Sequence, residues 1–344
     1  MSKFLNLNNE GGCSAKLNSG YLSEILASLN LKTKSNRLIT DMTYGEDACA
    51  YQLTDELAVI NTVDFFGPMV ENPYVFGQIA AANALSDIYA MGGEPILALN
   101  LLSFPTKEYG KNVICDILAG GLSIIESAGA ALGGGHTIES PCLSYGLSVT
   151  GLVRPDTIWT MTQASLSDCL VLTKAIGTGI GNIAIKSNLL TSNAKDIIIK
   201  SQTTLNNATK NIAIKYGIKA ATDISGFGLI GHLGNLAKAS NLTLRINCDK
   251  VDFFPQIAEL AKEGILPGGC HRNRKALSDI VRFDPNIPLF IQDLLFDPQT
   301  SGGLALVVNK NLARDLVNEL RQNDIIANEI GQFNEFKNYW LEVT

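Results

Sequence analysis

The sequence predicts two α/β domains that join near residue 155. The chain has 344 residues, which is about twice the length of a typical single domain. Short β-prone runs alternate with helical patterns in both halves, as is typical of α/β domains. Arg154, Pro155 and Asp156 separate the two series and have the composition of a linker. We therefore expect a leader over residues 1–18, an amino-terminal domain over 19–155 and a carboxy-terminal domain over 156–344.

The amino-terminal elements follow from apolar runs and from the residues that start and stop helices. Helical periodicity begins at Leu22, just after a polar leader rich in Gly, Asn and Ser. Residues 57–63 are a continuous β-prone run, which predicts a buried strand that ends at Asp64. Asn72 followed by Pro73 is a helix start signal, and this helix should end at the two glycines that follow Met91. The remaining elements are predicted as a strand over 95–104, a helix over 107–132 that is broken or closely packed at 120–121, and a strand over 143–153.

The carboxy-terminal half mixes strands and helices in the same way, so it is predicted to be a second α/β domain. Strands are expected over residues 169–173, 242–247 and 304–308, and helices over 194–216 and 229–239. The 46% hydrophobic content of the chain is that of a globular protein, which excludes disorder and collagen-like repeats.

The charge balance and the cysteine usage exclude several classes of function. Lys and Arg number 27 against 33 Asp and Glu, the net charge is -6, and only 17% of residues are charged. This balance argues against broad attraction to nucleic acid or to an anionic membrane surface. The seven cysteines form no Cys-x-x-Cys pair, which argues against a zinc ribbon, a thioredoxin-type dithiol and a disulfide framework. With no signal peptide and no apolar run of membrane-spanning length, we expect a cytoplasmic protein.

One cysteine of the leader has the surroundings of a reactive thiol. Cys13 follows two glycines, and Lys16 stands three residues further on. A nearby ammonium group favours the thiolate, and flexible glycines let both side chains reach a bound reactant. From the residues alone, an incidental thiol in a mobile terminus is the alternative. The other six cysteines lie mostly inside apolar runs and are predicted to fill the core.

Several isolated acids stand at predicted strand ends or beside small residues. They are Glu46, Asp47, Asp64, Asp87 and Asp223. A buried acid is costly unless it is paired or binds a cation, and Mg²⁺ prefers carboxylate oxygens together with phosphate and water. For each acid alone, a cap or a turn is the alternative. Together they predict a metal and phosphate site.

Glycine clusters offer backbone N–H groups that could approach phosphate oxygens, although glycines also make ordinary tight turns. The clusters lie at 133–135, 177–181, 226–228 and 298–303. The chain has no Walker A pattern, and no G-x-G-x-x-G opens a helix after a strand, so a nucleotide would bind without those devices. His136 follows three glycines and is a candidate site residue, whereas His232 is predicted to be a packed or partly exposed residue of a helix.

In this order and spacing, the segments resemble the selenophosphate synthetases (selenide, water dikinases) of the aminoimidazole-ribonucleotide synthetase-like superfamily. The matching motifs are Cys13-x-x-Lys16, TVDFFGPMVENPYVFGQIAAANALSDIYAMGG, GGGHTIESP, LTKAIGTGI, ATDISGFGLIGH, PGG with Arg272 and Asn273, and LFDPQTSGGL. The glycine and aspartate motifs recur across the superfamily, but the cysteine leader joined to TVDFF and ANALSDIYAMGG is much more specific. The resemblance covers nearly the whole chain. It implies a two-domain α/β (α+β) fold, with a mixed amino-terminal sheet at a homodimer interface and a carboxy-terminal α/β domain.

The resemblance also implies a reaction and the residues that perform it. ATP, selenide and water would give selenophosphate, phosphate and AMP, with ATP and hydrogenselenide as substrates and Mg²⁺ as cofactor. Cys13 and Lys16 match the catalytic pair, and Asp47, Asp87 and Asp223 match the magnesium ligands. The nucleotide-contacting positions are Lys16, Thr43, Tyr44, Gly45, Glu46, Asp64, Asp87, Gly134, Gly135 and His136. To these we add Asn83, which lies one helical turn before Asp87, as a supporting polar group.

Some alternatives stay open at this point. Ser14 and Ala15 occupy the positions where many relatives carry a second cysteine, so the chemistry must depend on a single leader thiol. Cys13 could attack, carry selenium or position it, and it could stand in for selenocysteine. Another superfamily member would phosphorylate an organic substrate and release ADP, and a binding protein without activity would need neither Cys13 nor Lys16. We hypothesise that the leader folds over the bound nucleotide.

Overall fold

The computed structural model describes residues 11–12, 35–40 and 45–344, which form two β-sheets with helices packed against them. Four residues expected at the site, Cys13, Lys16, Thr43 and Tyr44, lie outside the described residues. The helix expected from Leu22 onward lies outside them as well.

Within residues 45–153, five strands form a mixed sheet. The strands are β1 (Cys49–Gln52), β2 (Ala58–Phe66), β3 (Glu94–Phe104), β4 (Ala131–Glu139) and β5 (Ser144–Val153). Their order is β1-β2-β5-β3-β4, in which β3 and β4 run parallel and the other neighbours run antiparallel. Two helices, α1 (Pro73–Ala90) and α2 (Lys111–Ser127), accompany this sheet.

From residue 169 onward, seven strands form the second sheet. They are β6 (Cys169–Thr173), β7 (Ala220–Asp223), β8 (Leu242–Ile246), β9 (Val281–Phe283), β10 (Leu304–Val308), β11 (Ala327–Glu335) and β12 (Leu341–Val343). Their order is β7-β10-β6-β11-β8-β12-β9. The helices are α3 (Thr178–Lys186), α4 (Ser192–Thr203), α5 (Asn207–Ala213), α6 (Gly228–Ala239), α7 (Ile257–Lys262), α8 (Gly268–Leu277), α9 (Leu289–Phe296) and α10 (Ala313–Gln322). Short 3-10 helices lie at Met161–Gln163, Ile214–Tyr216, Cys248–Lys250 and Ser278–Ile280.

The helix α1 is the element that both domains share. It begins where the sequence predicts, because the Asn72 side chain accepts hydrogen bonds from the N–H groups of Tyr74 (2.9 Å) and Val75 (3.3 Å) ahead of the first turn. It packs against α2 and β5 on one side and against α4, α5 and β7 of the second domain on the other. Among the described residues no helix, α1 included, is long and apolar enough to cross a membrane.

Alternation along β2 gives the first sheet two different faces. Thr62 and Asp64 are buried and hydrogen-bond side chains of α1, whereas Val63 and Phe65 are each 57% exposed. Ile138 on β4 and Ile96 on β3 are also exposed apolar side chains. One face of the sheet therefore lies against α1, and the other carries exposed apolar groups.

Two strands differ from the prediction for identifiable reasons. The strand β2 continues past Asp64 to Phe66, since the buried carboxylate accepts a hydrogen bond from Asn83 and need not leave the sheet. The glycines before His136 form part of β4 rather than a loop. A side chain at Gly135 would collide with the backbone of Asn100 on β3, so glycine lets these strands approach.

The helix predicted over residues 194–216 is divided into α4, α5 and a 3-10 turn. The break lies at Asn206, whose Nδ2 donates to Ser86 Oγ and to the Gly302 carbonyl oxygen, both at 2.9 Å. The helix predicted over 107–132 is shorter than expected, because the chain enters β4 at Ala131.

The cysteine prediction is half wrong: Cys49, Cys115 and Cys142 are exposed, and Cys169, Cys248 and Cys270 are buried.

Candidate active site

Three of the predicted metal ligands converge at the junction of the two domains. Asp47 precedes β1, Asp87 lies on α1, and Asp223 ends β7. Burial is the largest cause that raises the pKa of Asp47 well above its ordinary value, and the charges of Asp223 and Asp87 raise it further. Neighbouring charges shift a pKa when they lie close to the group. The structure thus brings together acids that are 40 and 136 positions apart in the sequence (87 minus 47, and 223 minus 87).

Hydroxyl groups orient two of these carboxylates. Thr62 Oγ1 donates to Asp87 Oδ2 at 2.5 Å, and Thr222 Oγ1 donates to Asp47 Oδ1 at 2.9 Å. The other oxygen of Asp47, Oδ2, is buried and makes no hydrogen bond to the described residues. One ligand atom each from Asp47, Asp223 and His232 lie within 4.8 Å of one another. A buried oxygen beside further carboxylates fits a hard divalent cation.

Asp64 and Asn83 form a second polar link at the same junction. Asn83 on α1 donates from Nδ2 to Asp64 Oδ2, and its Oδ1 accepts a hydrogen bond from the Ser301 N–H at 2.8 Å. Both side chains are buried, with exposures of 8% for Asp64 and 1% for Asn83. Asn83 therefore connects Asp64 to a loop of the carboxy-terminal domain, and its role as a supporting polar group stays a prediction.

Glu46 and Gly45 lie directly before Asp47. The Glu46 carboxylate accepts hydrogen bonds from the Met161 N–H, 3.2 Å from each oxygen, and its charge contributes to the raised pKa of Asp47. Gly45 has a φ of +70°, a left-handed conformation that glycine adopts readily. The chain can therefore turn sharply into the acidic cluster.

The structure does not bring His136, Gly134 and Gly135 next to these acids. They lie on β4, and His136 lines a groove together with Phe65 and Ile138 on the exposed apolar face. Asp64 points to the opposite face of the same sheet, towards α1. Within one chain, the predicted nucleotide contacts are thus divided between two faces.

The glycine cluster at 298–303, which the sequence predicted to be a phosphate contact or a turn, belongs to a polar loop at 297–303 on the carboxy-terminal side of the junction. The side-chain contacts of this loop were not predicted. Gln299 is fully buried, and its Oε1 accepts hydrogen bonds from the N–H groups of Gly177 (2.9 Å) and Thr178 (3.0 Å). Lys174 Nζ donates to the carbonyl oxygens of Thr204 (2.8 Å) and Ser301 (3.0 Å). Burial lowers the pKa of Lys174 to about 7, and the charge of Asp223 opposes this shift. The motifs LTKAIGTGI and LFDPQTSGGL mark these two segments in the sequence, but they do not reveal the contacts between them.

The two glycines before Cys13 are seated at this junction. The Gly12 N–H donates to the Gly67 carbonyl oxygen at 3.0 Å. A Cβ at Gly12 would lie 2.6 Å from Thr300 Oγ1, and one at Gly11 would collide with the Pro68 carbonyl group. Gly11 and Gly12 therefore lie between the loop after β2 and the loop at 297–303.

Comparison with protein families supports this architecture. Residues 45–153 match the family described as AIR synthase related protein, N-terminal domain, and residues 167–341 match AIR synthase related protein, C-terminal domain. The thiamine-monophosphate kinase of Stenotrophomonas maltophilia has a similar structure, with a TM-score of 0.65 over 96% of each chain and 18% identity. Hydrogenase maturation protein HypE in complex with ATP gives a TM-score of 0.60 at 16% identity, over 84% of this chain and 80% of that chain. At these identities the likeness shows the fold alone.

Relatives with higher identity are selenide, water dikinases. Those of Pelobacter propionicus and Porphyromonas gingivalis are each 44% identical to this chain, over 91% and 92% of it and 90% of each relative. The relative from Clostridioides difficile is 39% identical over 95% of this chain and 94% of its own length. A protein with the two AIR synthase-related domains, a junction of buried acids and this identity over nine tenths of its length belongs to the selenide, water dikinase family.

Proposed function

We propose that the chain makes selenophosphate from ATP, selenide and water, and releases phosphate and AMP. The observation that carries the proposal is the 44% identity to a selenide, water dikinase over 91% of this chain. The product would supply activated selenium for selenocysteine and selenouridine formation. The fold alone would suit several ATP-using enzymes, so the assignment depends on the relatives.

Mg²⁺ is the proposed cofactor, with Asp47, Asp87 and Asp223 as its ligands. Burial and, after it, repulsion from Asp223 and Asp87 raise the pKa of Asp47, and a divalent cation between these carboxylates would relieve the repulsion. Hydrogenselenide and the triphosphate are both anionic, and the cation, when bound, would neutralise phosphate charge and lower the barrier to their approach. The hydroxyl groups of Thr62 and Thr222 hold the carboxylates in place for this role.

Cys13 and Lys16 are the proposed catalytic pair. Support comes from Gly12, which the structure seats against Gly67 and beside Thr300, close to the polar loop at 297–303. A cysteine that follows this anchor starts from the junction where the acids converge. The Lys16 ammonium group would stabilise negative charge on the phosphate groups or on the selenium nucleophile.

The nucleotide is proposed to contact Lys16, residues 43–46, Asp64 and Asp87 on the acidic side of the junction, and Gly134, Gly135 and His136 on β4. Since His136 lies on the face opposite to Asp64, both sets can contact nucleotide when two chains associate. We therefore propose a homodimer that forms through the exposed apolar face of the first sheet. Val63, Phe65 and Ile138 on that face are each more than half exposed, at 57%, 57% and 53%.

The domain boundary and the compartment are proposals of the same kind. We place the boundary near residue 155, between the end of β5 at Val153 and the start of β6 at Cys169. We place the protein in the cytoplasm, since its six described cysteines are free thiols.

The reaction is tested by anaerobic incubation with ATP, Mg²⁺ and selenide, followed by phosphorus NMR. We expect resonances of selenophosphate, phosphate and AMP. ADP as the sole final adenine product would instead indicate another superfamily activity and would overturn the proposal. No ATP turnover in the presence of selenide would indicate a binding protein.

The role of Cys13 is tested with Cys13→Ser in the same assay. We expect selenophosphate formation to fall to background while Mg-ATP binding, measured by calorimetry, stays largely intact. Cys115→Ser, at an exposed thiol on α2, is the matched control and should keep full activity. A fully active Cys13→Ser enzyme would refute the catalytic role of this thiol.

A further inference from the structure

We propose that His232 and Thr222 are positioning residues, which hold the carboxylate of Asp47 in its metal-binding orientation through a chain of hydrogen bonds. This inference deepens and rests on the proposed function, because the acids are assigned to a cation there. His232 lies on α6 and Thr222 on β7, and neither was expected at the site.

The first link of the chain is between the backbone and the imidazole ring. The Ser225 N–H lies 3.2 Å from His232 Nε2, and a backbone N–H can only donate, so Nε2 accepts. In a neutral imidazole ring the proton then resides on Nδ1. The Ser225 hydroxyl is also 3.2 Å from Nε2 and can donate to the same nitrogen. These contacts select the tautomer of His232.

The second link passes through the Thr222 hydroxyl. His232 Nδ1 lies 3.4 Å from Thr222 Oγ1, and Thr222 Oγ1 lies 2.9 Å from Asp47 Oδ1. When Nδ1–H donates to the hydroxyl oxygen, the hydroxyl hydrogen remains for Asp47. The other acceptor near the Thr222 hydroxyl is the carbonyl oxygen of Asp223, which is more distant at 3.3 Å. The series of hydrogen bonds therefore supplies one directed donor to Asp47 Oδ1 and leaves Oδ2 for a cation.

Burial makes this chain sensitive to the loss of any member. Thr222 is fully buried and His232 is 6% exposed, so water cannot readily replace a missing partner. Groups that orient a ligating carboxylate or imidazole in this way commonly change metal affinity by about 10- to 100-fold when they are removed. Direct ligation by His232 is less consistent with the geometry, since Nε2 already accepts from Ser225 and Mg²⁺ prefers oxygen.

Mn²⁺ binding to the full-length protein, measured by EPR without ATP or selenide, tests whether these hydrogen bonds position Asp47. We expect Thr222→Val, which keeps the shape but removes the hydroxyl, to weaken Mn²⁺ binding by about tenfold. His232→Phe should have a similar effect. The double variant should bind Mn²⁺ no more weakly than either single variant, because each substitution already breaks the same series of hydrogen bonds. Thr222→Ser and His232→Asn, which keep a donor, should restore binding to within about threefold.

Thr243→Val is the matched control, because Thr243 is a buried threonine of the same sheet whose hydroxyl donates to Tyr339. It should leave Mn²⁺ affinity unchanged, even if thermal stability falls as much as in Thr222→Val. Imidazole nitrogen NMR on histidine-labelled protein should show the Nδ1–H tautomer for His232, assigned by its loss in His232→Asn.

Several outcomes would overturn this inference. Unchanged Mn²⁺ affinity in Thr222→Val, additive losses in the double variant, or the Nε2–H tautomer would each do so. Nitrogen hyperfine coupling from His232 to bound Mn²⁺ would replace positioning by direct ligation. If the wild-type protein itself bound no Mn²⁺, the cation assignment under the proposed function would fail instead, so the two failures are distinguishable.

Discussion

At the scale of single residues, burial decides the chemistry of groups that look ordinary in the sequence. Asp297 is fully buried, and this burial raises its pKa to about 7, although hydrogen bonds from Gly179, Ile180 and Gln299 oppose the shift. The acids at the junction could be predicted to act together, because each stands at a predicted strand end or beside small residues. His232 was predicted only to be a packed or partly exposed helix residue, and Asp297 lies in the motif LFDPQTSGGL without a role of its own. Their hydrogen-bond partners could not be predicted, since their environments are made by residues distant in the sequence.

The raised pKa of Asp297 predicts a pH-dependent stability. Between about pH 4 and pH 7 the native protein keeps a proton that the unfolded chain has lost, so this group stabilises the fold at low pH and its contribution is lost as the pH rises through about 7. Asp297→Asn, which stays neutral, should remove that part of the dependence, which amounts to at most roughly 4 kcal/mol. Urea unfolding at pH 4 and pH 7.5 measures this contribution. Asp196→Asn, at an exposed carboxylate on α4, is the control. If the free energy of unfolding of Asp297→Asn changed with pH as much as that of the wild type, the prediction would be contradicted.

At the scale of elements, local signals predicted α1 well and β4 poorly. The cap at Asn72 fixes the start of α1, and such caps depend only on neighbouring residues. The edge strand β4 contains three glycines and all of its residues are exposed, so it has neither β-prone composition nor alternation. Its pairing with β3 comes from tertiary contacts, which a single sequence does not display. Similarly, the run in β2 predicted a strand buried on both faces, whereas only one face is covered.

The hydrogen bonds of Asn83 on α1 lead us to expect that its substitution affects both the stability of the protein and nucleotide binding. Asn83→Ala removes the hydrogen bonds to Asp64 and from the Ser301 N–H, and should lower the free energy of unfolding by about 1–3 kcal/mol and weaken ATP binding. Ser86→Ala, one turn further along α1, loses the hydrogen bond from Asn206 and should destabilise the protein without affecting ATP affinity. Urea unfolding and calorimetric titration with Mg-ATP separate the two effects. Equal ATP affinity in Asn83→Ala and the wild type would remove Asn83 from the site.

At the scale of the whole molecule, the net charge and the site point in different directions. A charge of -6 argues against broad attraction to nucleic acid or to an anionic membrane surface, yet the acids at the domain junction form the proposed cation site for an anionic nucleotide. Global composition therefore does not describe the site. Likewise, it did not reveal which apolar surface stays exposed in one chain.

The exposed face of the first sheet predicts the oligomeric state. Phe65→Glu places a charge at the proposed interface and should convert a dimer into a monomer in light scattering, with loss of selenophosphate formation. Leu289→Glu alters an equally exposed apolar residue, 62% exposed, in the carboxy-terminal domain and should leave the dimer intact. A monomeric wild-type protein, or a dimeric Phe65→Glu variant, would contradict the interface.

The burial of α1 by both domains has a consequence for folding. The core of the first sheet contains much of this helix, and the same helix contacts α4, α5 and β7 of the second domain, so the domains should form a single cooperative unit rather than two that melt independently. Calorimetry should show one transition, with equal van't Hoff and calorimetric enthalpies, for the isolated chain. Two resolved transitions would show that α1 remains folded with one domain after the other has unfolded. Evolution could therefore not exchange one half of this protein for a foreign domain without also redesigning the surface of that helix.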